Sequence, residues 1–143
     1  MKIIKLTSRQ VTNGTRVHLE NLMYQLREEK SRTTLVELKR IVGNPTVTMA
    51  VAKDGSRIVG VATLYTIQKV GKHIAHIEDV VVDSAYRGRG LGKKLIRTLI
   101  AEARKRKIKT LNLTSRPARI VANKLYKKLG FKLKKTNVYQ FKL

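Results

Sequence analysis

Residues Arg87 to Lys93, R-G-R-G-L-G-K, place three glycines and three cations in one short stretch. They follow the apolar run Ile77 to Val82 and open a segment whose Leu91, Leu95, Leu99 and Ala103 recur at helical spacing. A strand feeding a glycine-rich turn at a helix start is a ready anion site. The first N–H groups of a helix have no intrahelical partner, and the helix dipole adds partial positive charge there. Gly88, Gly90 and Gly92 let the backbone approach a ligand and take angles closed to other residues. Neither common phosphate loop is present. No G-x-x-x-x-G-K-[ST] can be read, and G-x-G-x-G lacks the last spacing of the dinucleotide fingerprint.

The elements that would position this loop follow from periodicity. Lys2 to Leu6 reads as a first strand, and Thr7 to Thr15 as a polar turn. Leu19, Leu22, Met23 and Leu26 mark an amphipathic helix over Arg16 to Lys30. Thr33-Thr34 caps a second helix with the stripe Leu35, Leu38, Ile41 and Val42, closed by Gly43 and Pro45. From Thr46 the period becomes two. A strand, the turn Lys53 to Ser56, a return over Ile58 to Ile67, a turn at Val70-Gly71-Lys72 and a strand from His73 to Asp83 lead into the loop. The helix after it runs to about Lys107. Ile108 to Thr114 is a fifth strand, parallel to the one before the loop. Ser115 is the expected N-cap of a last helix, with Pro117 in its first turn, Val121, Ala122, Leu125 and Leu129 inward, and Gly130 just beyond its end. Phe131 to Lys135 and Val138 to Lys142 read as a closing pair of strands.

The 143 residues suit one domain, 1–143, able to bury its own core. The absence of cysteine excludes disulfides and thiolate chemistry, and the spacing of His73 and His76 does not make a metal site. No apolar run is long enough to span a membrane, so the expectation is a cytoplasmic protein with no membrane partner. The formal charge is +23, and from Arg87 onward nineteen Lys and Arg face a single acid, Glu102. Such a field draws polyanions. The run Arg104 to Lys107 also suits a helix C-terminus with no partner at all. Five Tyr, two Phe and no Trp make a poor base-stacking platform.

Arg87-x-x-Gly90-x-Gly92 after V-V-V-D, and L-N-L-T-S followed by A-N-K-L-Y-K-K-L-G-F, together resemble the two signatures of the GNAT acetyltransferases. The resemblance implies the GNAT fold: an α/β, mixed and mostly antiparallel sheet of six to seven strands, splayed between the fourth and fifth and flanked by four helices. It implies acetyl-CoA as co-substrate, a primary amine as acceptor, and direct attack in a ternary complex. Val80, Val81 and Val82 would pair with the pantetheine arm, and an N–H near Val81 would polarise the thioester carbonyl. Arg87, Gly88, Arg89, Gly90, Leu91, Gly92 and Lys93 would hold the pyrophosphate. Asn123 would bond the pantetheine, and Tyr126 would protonate the departing thiolate. A phenol with a pKa of about 10 carries its proton at neutral pH and can do this.

The resemblance also calls for a base on the strand before the loop. Glu78 and Asp79 are the candidates. Alternation sends them to opposite faces, so one of them faces the acceptor, and Glu78 is preferred. His76 lies on the same face as Glu78. H-I-E-D-V-V-V locally resembles the glucosamine-6-phosphate acetyltransferases, whereas T-S-R-P departs from them and is similar to small bacterial GNATs of unassigned substrate. Arg116 and Arg119, at the cleft edge in this fold, would suit an anionic acceptor or CoA. The alternative function is a basic protein of this fold associated with nucleic acid or the ribosome through its C-terminal half, where an RNA-linked or protein amine would be the acceptor. Either a monomer or a homodimer is compatible with the sequence.

Overall fold

Thr12 starts the first helix. Its Oγ1 accepts a hydrogen bond from Thr15 N at 3.2 Å, and its own N–H donates to Thr15 Oγ1 at 3.2 Å. This exchange satisfies the first free N–H groups, so α1 (Asn13–Arg27) opens earlier than its apolar spacing suggested. It stops where Glu28 turns left-handed, at φ 58°. Thr34 caps α2 (Leu35–Gly43) the same way, exchanging bonds of 3.1 and 2.8 Å with Glu37. The computed structural model describes residues 1–143.

β1 (Lys2–Lys5), β2 (Val47–Asp54), β3 (Arg57–Lys69), β4 (Lys72–Val82) and β5 (Thr110–Leu113) form one sheet in that order. The first four are antiparallel. β4 and β5 run parallel, linked by α3 (Leu91–Lys105). Alternation sorts the sheet's two faces. Met49, Val51 and Val61 pack with Leu19, Leu22, Leu38 and Val42 of α1 and α2. Ala50, Ala52, Ala62 and Ala75 face the other way, under Leu95, Ile96 and Leu99 of α3. Small residues bring α3 close: a Cβ on Gly60 would sit 3.2 Å from Leu95 Cδ1. Leu95, Ile96 and Leu99 are fully buried, each worth roughly 1.5–3 kcal/mol of transfer free energy.

The sheet has five strands, not the six to seven expected, although four α-helices do flank it. The missing strands are the closing pair over Phe131 to Lys142, which form no ladder with each other or with β5. Leu133, Val138, Tyr139 and Phe141 stand exposed. Alternation alone does not suffice: a lone two-stranded ribbon is marginal, Thr136-Asn137 lacks the glycine such a turn favours, and Lys132, Lys134, Lys135 and Lys142 would crowd like charges.

The last helix also differs. α4 (Ile120–Lys128) begins after Arg119, and Ser115 caps nothing. Pro117 disfavours helical angles at Arg116, so Thr114 to Arg119 stays a loop. Val121 points outward and Tyr126 is buried in its place. The end is as expected. Gly130, at φ 97°, donates to Lys127 O, and Phe131 N donates to Tyr126 O, both at 3.0 Å.

Candidate active site

The loop after β4 is held in place from both sides. Asp83 Oδ1 accepts from Ala85 N at 3.0 Å and Oδ2 from Arg57 Nη2 at 3.1 Å. Ser84 N donates to Gln25 Oε1 of α1 at 2.9 Å. These bonds fix a single 3-10 turn, Ser84–Tyr86. Tyr86 OH donates to Asp54 Oδ2 at 3.0 Å, a bond that pushes the phenol's pKa up, and Arg89 lies 5.0 Å over its ring.

Gly88 and Gly90 follow at φ 76° and 72°. A Cβ at either would meet nothing within 4 Å, so what demands glycine there is the left-handed backbone. The first hydrogen bond of α3 is Lys94 N to Gly90 O at 3.1 Å, and no acceptor receives the N–H groups of Leu91, Gly92 or Lys93. Three consecutive backbone donors at this helix start are therefore free. Leu91 offers only its backbone, since its side chain is buried under the sheet. Arg87 Nε donates to Val82 O at 3.1 Å, and Arg89 Nη2 to Ala85 O at 3.4 Å.

β4 and β5 separate where the loop begins to matter. Their pairing ends at Ile77 and Leu113, and β4 continues to Val82 with no strand beside it on that edge. Val81 is buried towards α1, whereas Val80 and Val82 pack on the α3 side. The register against β3 slips between Val61/Val81 and Thr63/Glu78, which puts an extra residue in β4. That residue is Asp79, at φ 55°. The bulge breaks the alternation expected of an unbroken strand. Glu78 and Asp79 line one cleft of about 470 Å³ instead of opposite faces. Asp79 is tied to Arg27 Nη2 of α1 at 2.6 Å, and Glu78 is exposed without a partner.

Tyr126 sits at the fork. It lines this cleft and also a larger cavity of about 850 Å³ that runs past the outer edge of β5. Burial pushes its phenol pKa up, with the charge of Arg119 pulling the other way. Its ring meets Phe131 edge-on at 6.0 Å. Asn123 is engaged within the protein, where its Nδ2 donates to Arg116 O at 2.9 Å and holds the loop before α4. Arg119 Nη2 donates to Leu26 O at 2.9 Å, and Arg116 is exposed in the cleft wall.

Three groups in this region have roles that their sequence neighbourhoods do not announce. Arg27 holds Asp79. Ser115 lies in the cleft wall instead of capping a helix. Tyr65 pairs across β3 and β4 with His76, and its pKa is raised by burial and by the charges of Asp79 and Glu78. The i, i+2 alternation of Thr63 and Tyr65 is the available signal for the last.

Residues 16–131 match the Acetyltransferase (GNAT) family. The chain belongs to that family. Among solved structures, an aminoglycoside acetyltransferase from an uncultured soil metagenomic sample, in complex with trehalose, has a TM-score of 0.86 at 21% identity. It covers 99% of this chain and 95% of that one. A Trypanosoma brucei acetyltransferase has a TM-score of 0.75 at 28% identity over 98% of each chain. In sequence, the glucosamine 6-phosphate N-acetyltransferase of Trypanosoma brucei brucei is 43% identical over 79 residues, 53% of this chain and 52% of that protein. A rice glucosamine 6-phosphate N-acetyltransferase is 35% identical over 85 residues, 57% of this chain and 51% of that protein. The chain spans about half the length of these curated relatives. No helix of this GNAT chain is long and apolar enough to cross a membrane.

Proposed function

We propose that the protein is an N-acetyltransferase that moves the acetyl group of acetyl-CoA onto a primary amine by direct attack in a ternary complex, with residues 1–143 acting as one catalytic domain. One observation carries this reading: β4 and β5 part beside a helix N-terminus with free N–H groups, and a buried tyrosine stands at the fork. A cytoplasmic location goes with it.

The residues present suit acetyl-CoA. The unpaired edge from Val80 to Val82 offers backbone partners to an extended amide-bearing arm. The N–H groups of Leu91, Gly92 and Lys93, with the cations of Arg87, Arg89 and Lys93, suit a pyrophosphate. Gly88 and Gly90 leave open space above the turn. Acetyl-CoA supplies a thioester whose carbonyl carbon takes a nucleophile: a C–N bond forms and the C–S bond breaks. Glu78 has no competing partner and accepts the proton that the amine sheds, whereas the carboxylate of Asp79 is committed to Arg27. Tyr126 gives its proton to the departing sulfur.

The acceptor in this proposal carries an anionic group as well as its amine, as an amino-sugar phosphate does. Arg116 stands in the cleft wall with no side-chain partner, and the likeness to glucosamine 6-phosphate acetyltransferases supports the same class. A second reading rests on charge. Of the nineteen cations from Arg87 onward, only Arg106 joins an ion pair, which favours an acceptor borne on RNA or a ribosome. Thiol release from acetyl-CoA, with mass detection of the acetylated product, tests both readings across glucosamine 6-phosphate, neutral amino sugars and RNA-linked amines. Acetylation of the sugar phosphate well above the neutral sugar supports the first. No thiol release with any amine would defeat the enzyme assignment.

A further inference from the structure

Ser115 Oγ is the one side-chain polar atom that is fully buried without a hydrogen-bond partner. Between Thr114 and Ala118 it is also the only residue that is not exposed, so the loop turns this hydroxyl inward and its neighbours outward. The position is not an accident of helix capping, because α4 starts at Ile120 with Arg119 as its N-cap. The loop is instead pinned from below, by Asn123 Nδ2 on Arg116 O and by Arg119 N on Arg116 O at 3.0 Å.

Where the residue sits matters more. Ser115 lines both the α1-side cleft and the larger cavity along β5. The other residues the two spaces share are Leu113, Thr114, Tyr126 and Val138, so Ser115 and Tyr126 both stand at their junction. Thr114 is exposed and can be satisfied by water. An inward hydroxyl left without a partner destabilises the free protein, and a bound acceptor that uses it offsets that cost.

We propose that Ser115 is a binding residue for the acyl-CoA: a rotation about its Cα–Cβ bond brings the buried Oγ–H into the cleft to donate a hydrogen bond at the thioester end, on the side of Tyr126. This rests on the acetyltransferase reading and adds a residue to it. The acetyl carbonyl oxygen at that end of the donor is an acceptor for the hydroxyl, and the side chains of Leu113 and Val138 beside it offer none.

The test is Ser115→Ala, with Ser115→Thr as the variant that keeps a hydroxyl. Thermal unfolding is read with and without ligand, and affinity by calorimetry, for acetyl-CoA and for CoA without its acetyl group. Free Ser115→Ala should melt at or above the wild-type temperature, because the substitution removes an unsatisfied buried group. Its Kd for acetyl-CoA should rise about five- to tenfold, the loss of one ordinary hydrogen bond. Its Kd for CoA should change less than about twofold by the same reasoning. Ser115→Thr should recover most of the acetyl-CoA affinity. A wild-type Kd for acetyl-CoA in Ser115→Ala, equal losses for both ligands, or a lower melting temperature of the free variant would each overturn the assignment. Wild-type protein that fails to bind acetyl-CoA at all would overturn the acetyltransferase reading along with it.

Discussion

Tyr126→Phe removes one oxygen and leaves the rest of the fork intact, which makes it the sharpest mutational probe of the mechanism. The ring is 8% exposed and packs in the cluster beneath α3, edge-on to Phe131, and phenylalanine preserves both contacts. The hydroxyl makes no hydrogen bond within the protein, so global stability should move by no more than about 0.5 kcal/mol. Burial raises the phenol's pKa above its ordinary 10.0, which keeps the proton on oxygen throughout the neutral range. Placing a general acid typically contributes about 10²–10⁴-fold, and a thiolate leaves more readily than an alkoxide, so the low end applies. The expectation is a fall in kcat of about 100-fold, or about 2.7 kcal/mol of transition-state stabilisation. KM for acetyl-CoA should stay within about twofold, because binding is not what the hydroxyl supplies. Thiol release under saturating acceptor measures both. Unchanged kcat in a folded variant would refute Tyr126 as the proton donor and leave its burial as ordinary core packing. The same raised pKa has a stability consequence. The unfolded phenol ionises near 10.0 before the folded one, so this contribution is present below that pH and lost as pH rises through the folded value. Tyr126→Phe should therefore lose less stability than wild type between neutral pH and pH values above 10.0 in alkaline melts.

The bulge in β4 separates two carboxylates that share one cleft. Glu78→Gln should lower kcat by about 10²-fold or more with melting unchanged, whereas Asp79→Asn should cost mainly stability through the lost Arg27 pair, about 1 kcal/mol. The reverse pattern in paired kinetic and melting measurements would make Asp79 the base. Gly90→Ala keeps open space but forces a side chain to φ 72°. It should reduce stability by about 1 kcal/mol and weaken acetyl-CoA binding by at least about tenfold, and normal affinity by calorimetry would reject the anion cradle. Glu102 accepts from Arg106 Nε at 2.8 Å and Lys5 Nζ at 2.9 Å, and these bonds hold its carboxyl below 4.5. A lowered folded-state pKa gives stability that is present above the unfolded value and lost as pH falls through the folded one. Glu102→Gln should thus be less stable than wild type at neutral pH by about 1 kcal/mol. The gap should shrink in acid, and a constant gap would show that the charge is not what matters.

Periodicity and capping chemistry are local and therefore legible. The Thr34 cap, the two hairpins that lead into the loop, the start of α3 and the Gly130 stop can each be read from a few neighbouring residues. What the sequence hides is set by pairing between distant segments. The Asp79 bulge interrupts an unbroken strand pattern, and only the register against β3 reveals it. Arg27 meets Asp79 across the chain, with no mark in either neighbourhood. The tail from Phe131 alternates as a strand should, yet alternation does not supply a partner edge. Ser115 has the composition of a helix cap, and the following proline, by delaying the helix, turns it into something else.

Calorimetric titration with acetyl-CoA, at low and at physiological salt, decides whether the fork between β4 and β5 is a cofactor site. Saturable binding to one site at both ionic strengths, retained against competing inorganic polyphosphate, is expected if the fork holds the cofactor. Binding seen only at low salt, and equally strong for any polyphosphate, would mean that the free N–H groups and cations of the loop form a general anion surface and that the fork between β4 and β5 holds no cofactor.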